Sequence, residues 1–270
     1  MMVEAGLLVL SDLMRSTIIA LAFLHTALAQ AQNDRINTYG AVGWYNLFGT
    51  FKLADKWGIH SEYQWRRDNM ITDWQQSLTR VGVNYQLTPA TLLRAGYAWI
   101  ETFPYGELPI NALGRDFTEH RLFQMVQLTH KEGLLDLSHR FMLEQRFVGR
   151  YTDPGAERED EFPLLHRLRY MIRLQVPLKG KVIADKIPYA AVYNELFIGF
   201  GKNVNANVFD QNRSGVLFGY RFNRVIRLEA GYFNQILQFG RRIDDRNIFQ
   251  TNSGLILNGH FNFNLMKVAK

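Results

Sequence analysis

The sequence predicts an all-β fold, an antiparallel transmembrane β-barrel of about 12 strands with 10 as the next choice. Three observations predict it. Apolar and polar residues alternate with period two over stretches of roughly ten residues or more, longer than the ~5–6 residues usual in soluble sheets. Short turns alternate with longer polar loops, as expected of periplasmic turns and extracellular loops. Beyond residue 32 no stretch has helical periodicity or the ~20 apolar residues of a membrane-crossing helix.

The clearest stretch is Leu134 to Phe147. Leu135, Leu137, His139, Phe141, Leu143, Gln145 and Phe147 form one set, and Ser138, Arg140, Met142, Glu144 and Arg146 the other. Leu164 to Gln175 repeats the pattern, with Leu168, Tyr170, Ile172 and Leu174 opposite Arg167, Arg169, Arg173 and Gln175. In a soluble sandwich the apolar set would face inward. In a membrane barrel it faces lipid, and the charges face the lumen.

Before the barrel, residues 1–31 read as an export signal. Arg15 supplies the positive charge, Ile18 to Leu24 the apolar core, and Ala27-Leu28-Ala29 or Ala29-Gln30-Ala31 the small residues for cleavage. Glu4 and Asp12 sit where a basic region belongs, so Met14 is the expected start and residues 1–13 an upstream extension. Residues 32–270 are then the barrel. Its strands are expected at Tyr39 to Leu53, Trp57 to Arg67, Gln75 to Leu87, Thr91 to Phe103, Glu119 to His130 (whose two faces are poorly resolved), and the two stretches above. Pro188 to Gly201, Arg213 to Phe222, Val225 to Gln238 and Asn247 to Asn264 follow. Long loops are expected at Pro104 to Thr118, Arg150 to Pro163, Lys202 to Asn212 and Phe239 to Arg246. That makes eleven strands. Bacterial barrels normally have an even number, so a further short strand at Arg35 to Val42 is expected to restore parity.

Net charge is +6 and the pI about 9.5, but the basic residues are spread singly, which argues against a nucleic-acid patch. With no cysteine there is no disulfide scaffold, zinc–thiolate site or lipidated cysteine. Trp44, Trp57, Trp65, Trp74 and Trp99, with Tyr39, Tyr45, Tyr85 and Tyr151, fit interfacial aromatic girdles.

The expected lumen set is Glu62, Arg66, Arg80, Arg140, Glu144, Arg146, Arg167, Arg169, Arg173, Glu195, Arg213, Arg221, Arg227 and Glu229. In a small barrel such groups pair across strands and fill the interior, which suits a structural or accessory role. The alternative is a narrow, porin-like channel preferring anions. A lipid hydrolase is third. Ser138 and His139 are adjacent, as are His60 and Ser61, so a strand sends each pair to opposite faces. The carboxylates between Asp153 and Glu161 lack EF-hand spacing and read as a solvated loop; no metal or cofactor is expected.

The stretches WYNLFGTFKLADKWGIHSEYQWR, PYGELPI, EHRLFQ, LSHRFMLEQRF, YNELFI and FDQNR keep an order and spacing that resembles the bacterial family catalogued as domain of unknown function 2490. The resemblance covers about Tyr39 to Leu265. It implies an outer-membrane β-barrel of a Gram-negative bacterium, and no activity or catalytic residues. Outer-membrane lipid and lipopolysaccharide are the expected partners, with an envelope protein complex as a further one. One departure is the carboxyl end, which runs past Phe263 to Lys270 where barrels often finish on an aromatic residue.

Overall fold

A computed structural model describes residues 35–204 and 207–266. The signal-like segment 1–31 lies outside the described residues. Eleven strands form one closed barrel: β1 (Arg35–Lys52), β2 (Trp57–Asp68), β3 (Asp73–Thr88), β4 (Thr91–Thr102), β5 (Phe117–Glu132), β6 (Leu135–Val148), β7 (Leu164–Pro177), β8 (Ile187–Phe200), β9 (Phe209–Arg221), β10 (Ile226–Ile243) and β11 (Arg246–Asn264). Each strand pairs antiparallel with its sequence neighbours. An odd number leaves the first and last strands pointing the same way, so β1 and β11 close the barrel in parallel, from Arg35↔Asn247 to Lys52↔Asn264. Closure leaves no unpaired edge.

The expected twelfth strand is absent among the described residues. Arg35 to Val42 runs on without a break into the residues after it, because its backbone pairs continuously with β11 through Asn37 and Gly40. It is the first half of β1, paired with Asn247 to Gly254. Two expected loops are also shorter. Phe239 to Ile243 continues β10 past a bulge between Gln238 and Arg242, and the chain reverses at Asp244-Asp245, both at positive φ (48° and 58°). That is the backbone a two-residue hairpin requires, and aspartate tolerates it. Likewise β9 begins at Phe209, which makes Asp210 and Gln211 strand residues.

The expected alternation of connections is partial. The longest, 103–116 and 149–163, share one end with 201–208, but so do the tight reversals at 69–72 and 244–245. The other end has the short turns 53–56, 89–90, 133–134 and 222–225, and the longer 178–186.

The alternating residues separate the two faces. Outward side chains are apolar and open: Phe218 is 64% exposed, Leu255 53% and Leu168 47%. Inward side chains are buried and mostly polar. Aromatics cluster outward near strand ends, where Trp57 packs on Tyr85, Phe51 stacks on Phe263, and Trp74 contacts both Trp65 and Phe103. Trp44 is a correction. It points inward, is buried and packs on Phe233 with ring centroids 4.2 Å apart, because even-numbered residues of β1 face the lumen. A Cβ on Gly219 would come within 2.1 Å of the Tyr189 ring, so this glycine gives an inward tyrosine its room.

Candidate functional site: the arginine-lined lumen

The lumen chemistry follows from strand pairing. Glu144↔Arg167 and Met142↔Arg169 pair across β6 and β7, and Arg169↔Phe197 across β7 and β8. This register stacks charged side chains on one level, where facing residues lie ~4.5–5.5 Å apart. Glu144 has no exposed surface. Its Oε1 accepts from Arg169 at 2.8 Å and Arg121 at 3.2 Å; its Oε2 accepts from Arg167 Nε at 2.7 Å. Arg80 approaches to 4.0 Å. Glu195 accepts from Arg140 at 2.8 Å and Arg169 at 2.7 Å. Glu62 pairs with Arg80 at 2.8 Å and contacts His60 at 3.3 Å. Arg146 forks onto both oxygens of Glu119 (2.8 and 2.9 Å) and reaches Asp210 at 3.2 Å, and Asp210 also takes Arg167 at 2.7 Å. Glu144, Glu195, Glu119 and Asp210 each bridge two or more guanidiniums, which the planar, multi-donor fork of arginine permits. The result is a continuous ion-paired belt through Glu62, Arg80, Arg121, Glu144, Arg167, Arg169 and Glu195.

Toward the short-turn end a second cluster forms around Glu229. It accepts from Arg173 at 2.5 Å, Tyr189 Oη at 2.6 Å and Asn258 at 3.1 Å, with His260 at 3.4 Å and Arg227 at 3.9 Å. Arg173 therefore belongs here and not to the central belt.

Toward the long-loop end the lumen widens into a cavity of about 480 Å³. Arg66, Arg213 and Arg241 line it beside the upper arginines of the belt. Segment 103–116 roofs it. Arg241 donates to the carbonyls of Pro109 (2.7 Å) and Ile110 (3.3 Å), and Gly106 N donates to Asp68 at 3.2 Å. Tyr105 is buried under this roof, its hydroxyl accepting from Asn252 at 3.3 Å; burial pushes that hydroxyl up from its ordinary value, so it stays protonated.

Of the expected lumen residues, Arg221 stands apart. It lies at the short-turn mouth, half-buried, bound to Asp185 at 3.0 Å and to the carbonyl of Ile183. Sequence reasoning missed Glu119, Arg121, Asp210, Arg94 and His260, and it left His60 out of the lumen set although His60 shares a strand face with Glu62 and Arg66. Glu119 and Arg121 alternate with outward His120 and Leu122, a signal masked because Phe123 and Met125 make the inward face of β5 look apolar. Arg94 faces Asn84 across β3 and β4 and donates to it at 2.6 Å. Ser138 points inward and His139 outward, where its Nδ1 lies 2.8 Å from Tyr170 Oη.

A family model described as protein of unknown function (DUF2490) matches residues 42–247, which runs from within β1 into β11. No curated protein and no solved structure matches the chain.

Proposed function

The chain belongs to the DUF2490 family of proteins of unknown function, and we propose that it is a bacterial outer-membrane β-barrel whose charge-filled lumen serves a structural or accessory role and conducts no solute. In this reading residues 1–31 direct export, and residues 32–270 form the barrel. Lipid and lipopolysaccharide surround it, with another envelope protein as a further partner. Large apolar side chains exposed on every strand support a lipid setting, since water would not stabilise that outer face. The outward aromatics near strand ends suit the two interfaces.

The observation that carries the closed-lumen reading is Glu144. It is fully buried at the centre of the belt, fixed by Arg121 of β5 and by Arg167 and Arg169 of β7, the strands on either side of its own. A conducting pore keeps its charged lining open to solvent, whereas Glu144 has no exposed surface. An anion-preferring channel is the second reading, favoured by the excess of arginine in the cavity. The chain is read as non-enzymatic, because inward Ser138 and outward His139 do not meet as nucleophile and base.

Planar-bilayer recording of the purified protein tests the main reading. No unitary current is expected, and steady anion-selective steps would promote the channel. Cell fractionation tests the location: recovery in a detergent-free soluble fraction would overturn the membrane reading.

A further inference from the structure

We propose that the cavity at the long-loop end is a binding site for a small anionic saccharide, a sugar carrying a phosphate or carboxylate, with Arg66 and Arg213 gripping the anionic group. The inference goes beyond the closed-lumen reading and does not need the membrane setting.

It starts from unequal pairing. The nearest carboxylates, those of the belt and Asp210, are already engaged: Glu62 by Arg80, Glu195 by Arg140 and Arg169, and Asp210 by Arg146 and Arg167. Arg66 and Arg213 form no ion pair among the described residues. Arg66 donates to the amide oxygens of Gln76 (2.6 Å) and Gln64, and Arg213 to that of Gln211 at 2.9 Å. Both lean on the same indole, Arg66 with Cζ 4.1 Å and Arg213 with Cζ 4.7 Å from the Trp44 ring. Two cations are thus held against one aromatic with no carboxylate within 4.0 Å of either among the described residues, although Arg213 faces the already engaged Glu195 across β8 and β9. Arg66 is only 5% exposed, and its buried Nε has no hydrogen-bond partner among the described residues. A buried unpaired charge is costly, and a guanidinium's planar fork matches a phosphate or carboxylate.

The size and lining set the rest of the ligand. About 480 Å³ exceeds what a bare inorganic ion needs and falls within the ~300–1,000 Å³ of small-molecule pockets. Gln64, Gln75, Gln76, Gln235 and Asn111 line the cavity. Amides both donate and accept, as hydroxyl-rich ligands require. Arg241 and the roof segment 103–116 sit above, so the ligand would be enclosed.

Calorimetric titration of the detergent-solubilised protein tests this with four probes: glucose 6-phosphate, glucuronate, glucose and inorganic phosphate. At least one of the two anionic sugars should bind, and their relative affinities distinguish phosphate from carboxylate. Glucose and inorganic phosphate should each bind at least about tenfold more weakly, the scale of one charge-assisted hydrogen bond. Arg66→Gln and Arg213→Gln, checked for folding by circular dichroism, should each weaken the sugar anion by about tenfold or more, and Arg66→Lys by less. Failure of both anionic sugars to bind the unaltered protein overturns the proposal. So does equal binding of glucose or inorganic phosphate, or undiminished binding in the folded variants. If neither variant folds, the four-probe comparison on the unaltered protein decides alone. Bilayer current would break the closed-lumen reading without touching this one.

Discussion

Two levels of the same lumen treat arginine differently. At the central belt, Arg121, Arg167 and Arg169 converge on a Glu144 that no solvent reaches. Where the lumen opens toward the long loops, Arg66 and Arg213 rest on amide oxygens and on the Trp44 ring, with no carboxylate within 4.0 Å among the described residues, although Arg213 faces Glu195 of the belt across β8 and β9. The difference teaches that positive charge in a barrel is not one feature. Where carboxylates match it, the interior is cross-braced by ion pairs. Where they do not, the interior stays polar, roomy and in want of a counter-charge. The belt accounts for how the barrel holds itself together, and the cavity for what it can hold.

The largest effect is expected at the belt. Glu144→Gln leaves several buried guanidiniums short of a partner, a loss of roughly 3–5 kcal/mol. Thermal unfolding in detergent should therefore fall more for Glu144→Gln than for Arg121→Gln or Arg169→Gln, because Glu144 keeps two other arginines when one is removed, whereas three arginines lose a partner together when Glu144 is neutralised. Unchanged stability accompanied by anion current would mean that water already reaches Glu144, and the two levels would no longer differ in kind.

Next is the outer face. Leu168 follows Arg167 in sequence but leaves the opposite side of β7 and is 47% exposed. In the proposed bilayer, Leu168→Arg should cost about 2–4 kcal/mol near the midplane. Urea titration of folding into vesicles measures it. A negligible cost would argue that this face meets water or another protein.

A smaller effect is expected at Arg66. Arg66→Gln loses amide hydrogen bonds and a cation–π contact, together about 1–2 kcal/mol, but it also removes an uncompensated buried charge. Unfolding measured beside Glu144→Gln should show much the milder loss. A drop equal to that of Glu144→Gln would place Arg66 within the belt's electrostatic network and erase the contrast.

How much of this was legible in the sequence depended on periodicity. Strands with clean alternation, such as Leu135–Val148 and Leu164–Pro177, gave up both faces, and with them Glu144, Arg167 and Arg169. Where an inward face mixes charge with Phe123 and Met125, as in β5, alternation fades, and Glu119 and Arg121 went unseen. Composition misled at Phe239 to Arg246, whose charges suggested a loop. Ladder hydrogen bonds carry the strand through them to a turn that aspartates can make. Closure parity was legible as eleven alternating stretches, but the even-number rule added a twelfth strand, since a parallel β1–β11 seam leaves no local mark on either strand. Nor was the inequality between the two levels, since which arginine meets which carboxylate is fixed by the register of pairs far apart in sequence, such as Arg146 with Asp210.

The smallest effect is expected in the loops above the cavity, which neither level of the lumen resembles. Arg115 ties segment 103–116 to segment 149–163 through the carbonyls of Ala156 and Pro154, and carbonyls do not titrate. Asp160 supplies a titratable tie, accepting from Thr152 N at 2.9 Å and Thr152 Oγ1 at 2.8 Å. Those hydrogen bonds favour the ionised form and hold the Asp160 carboxyl below its ordinary value. A carboxyl depressed in the folded state contributes order that is fully present above the unfolded value and is lost as pH falls through the folded one. The Thr152 tie should therefore be intact at neutral pH and weaken only at pH below the usual aspartate range of about 3.9. Hydrogen exchange at the Thr152 amide measures it, corrected for the intrinsic pH dependence of exchange. Protection should drop across that acid range in the unaltered protein, while amides of the β6–β7 ladder keep theirs. Asp160→Asn should show weaker protection already at neutral pH and little further change on acidification. A Thr152 protection that ignores pH in the unaltered protein would mean that the Asp160 carboxylate does not order segment 149–163. A simultaneous loss of protection in β6 and β7 would mean that the belt, and not the loop, is the acid-sensitive part of the barrel.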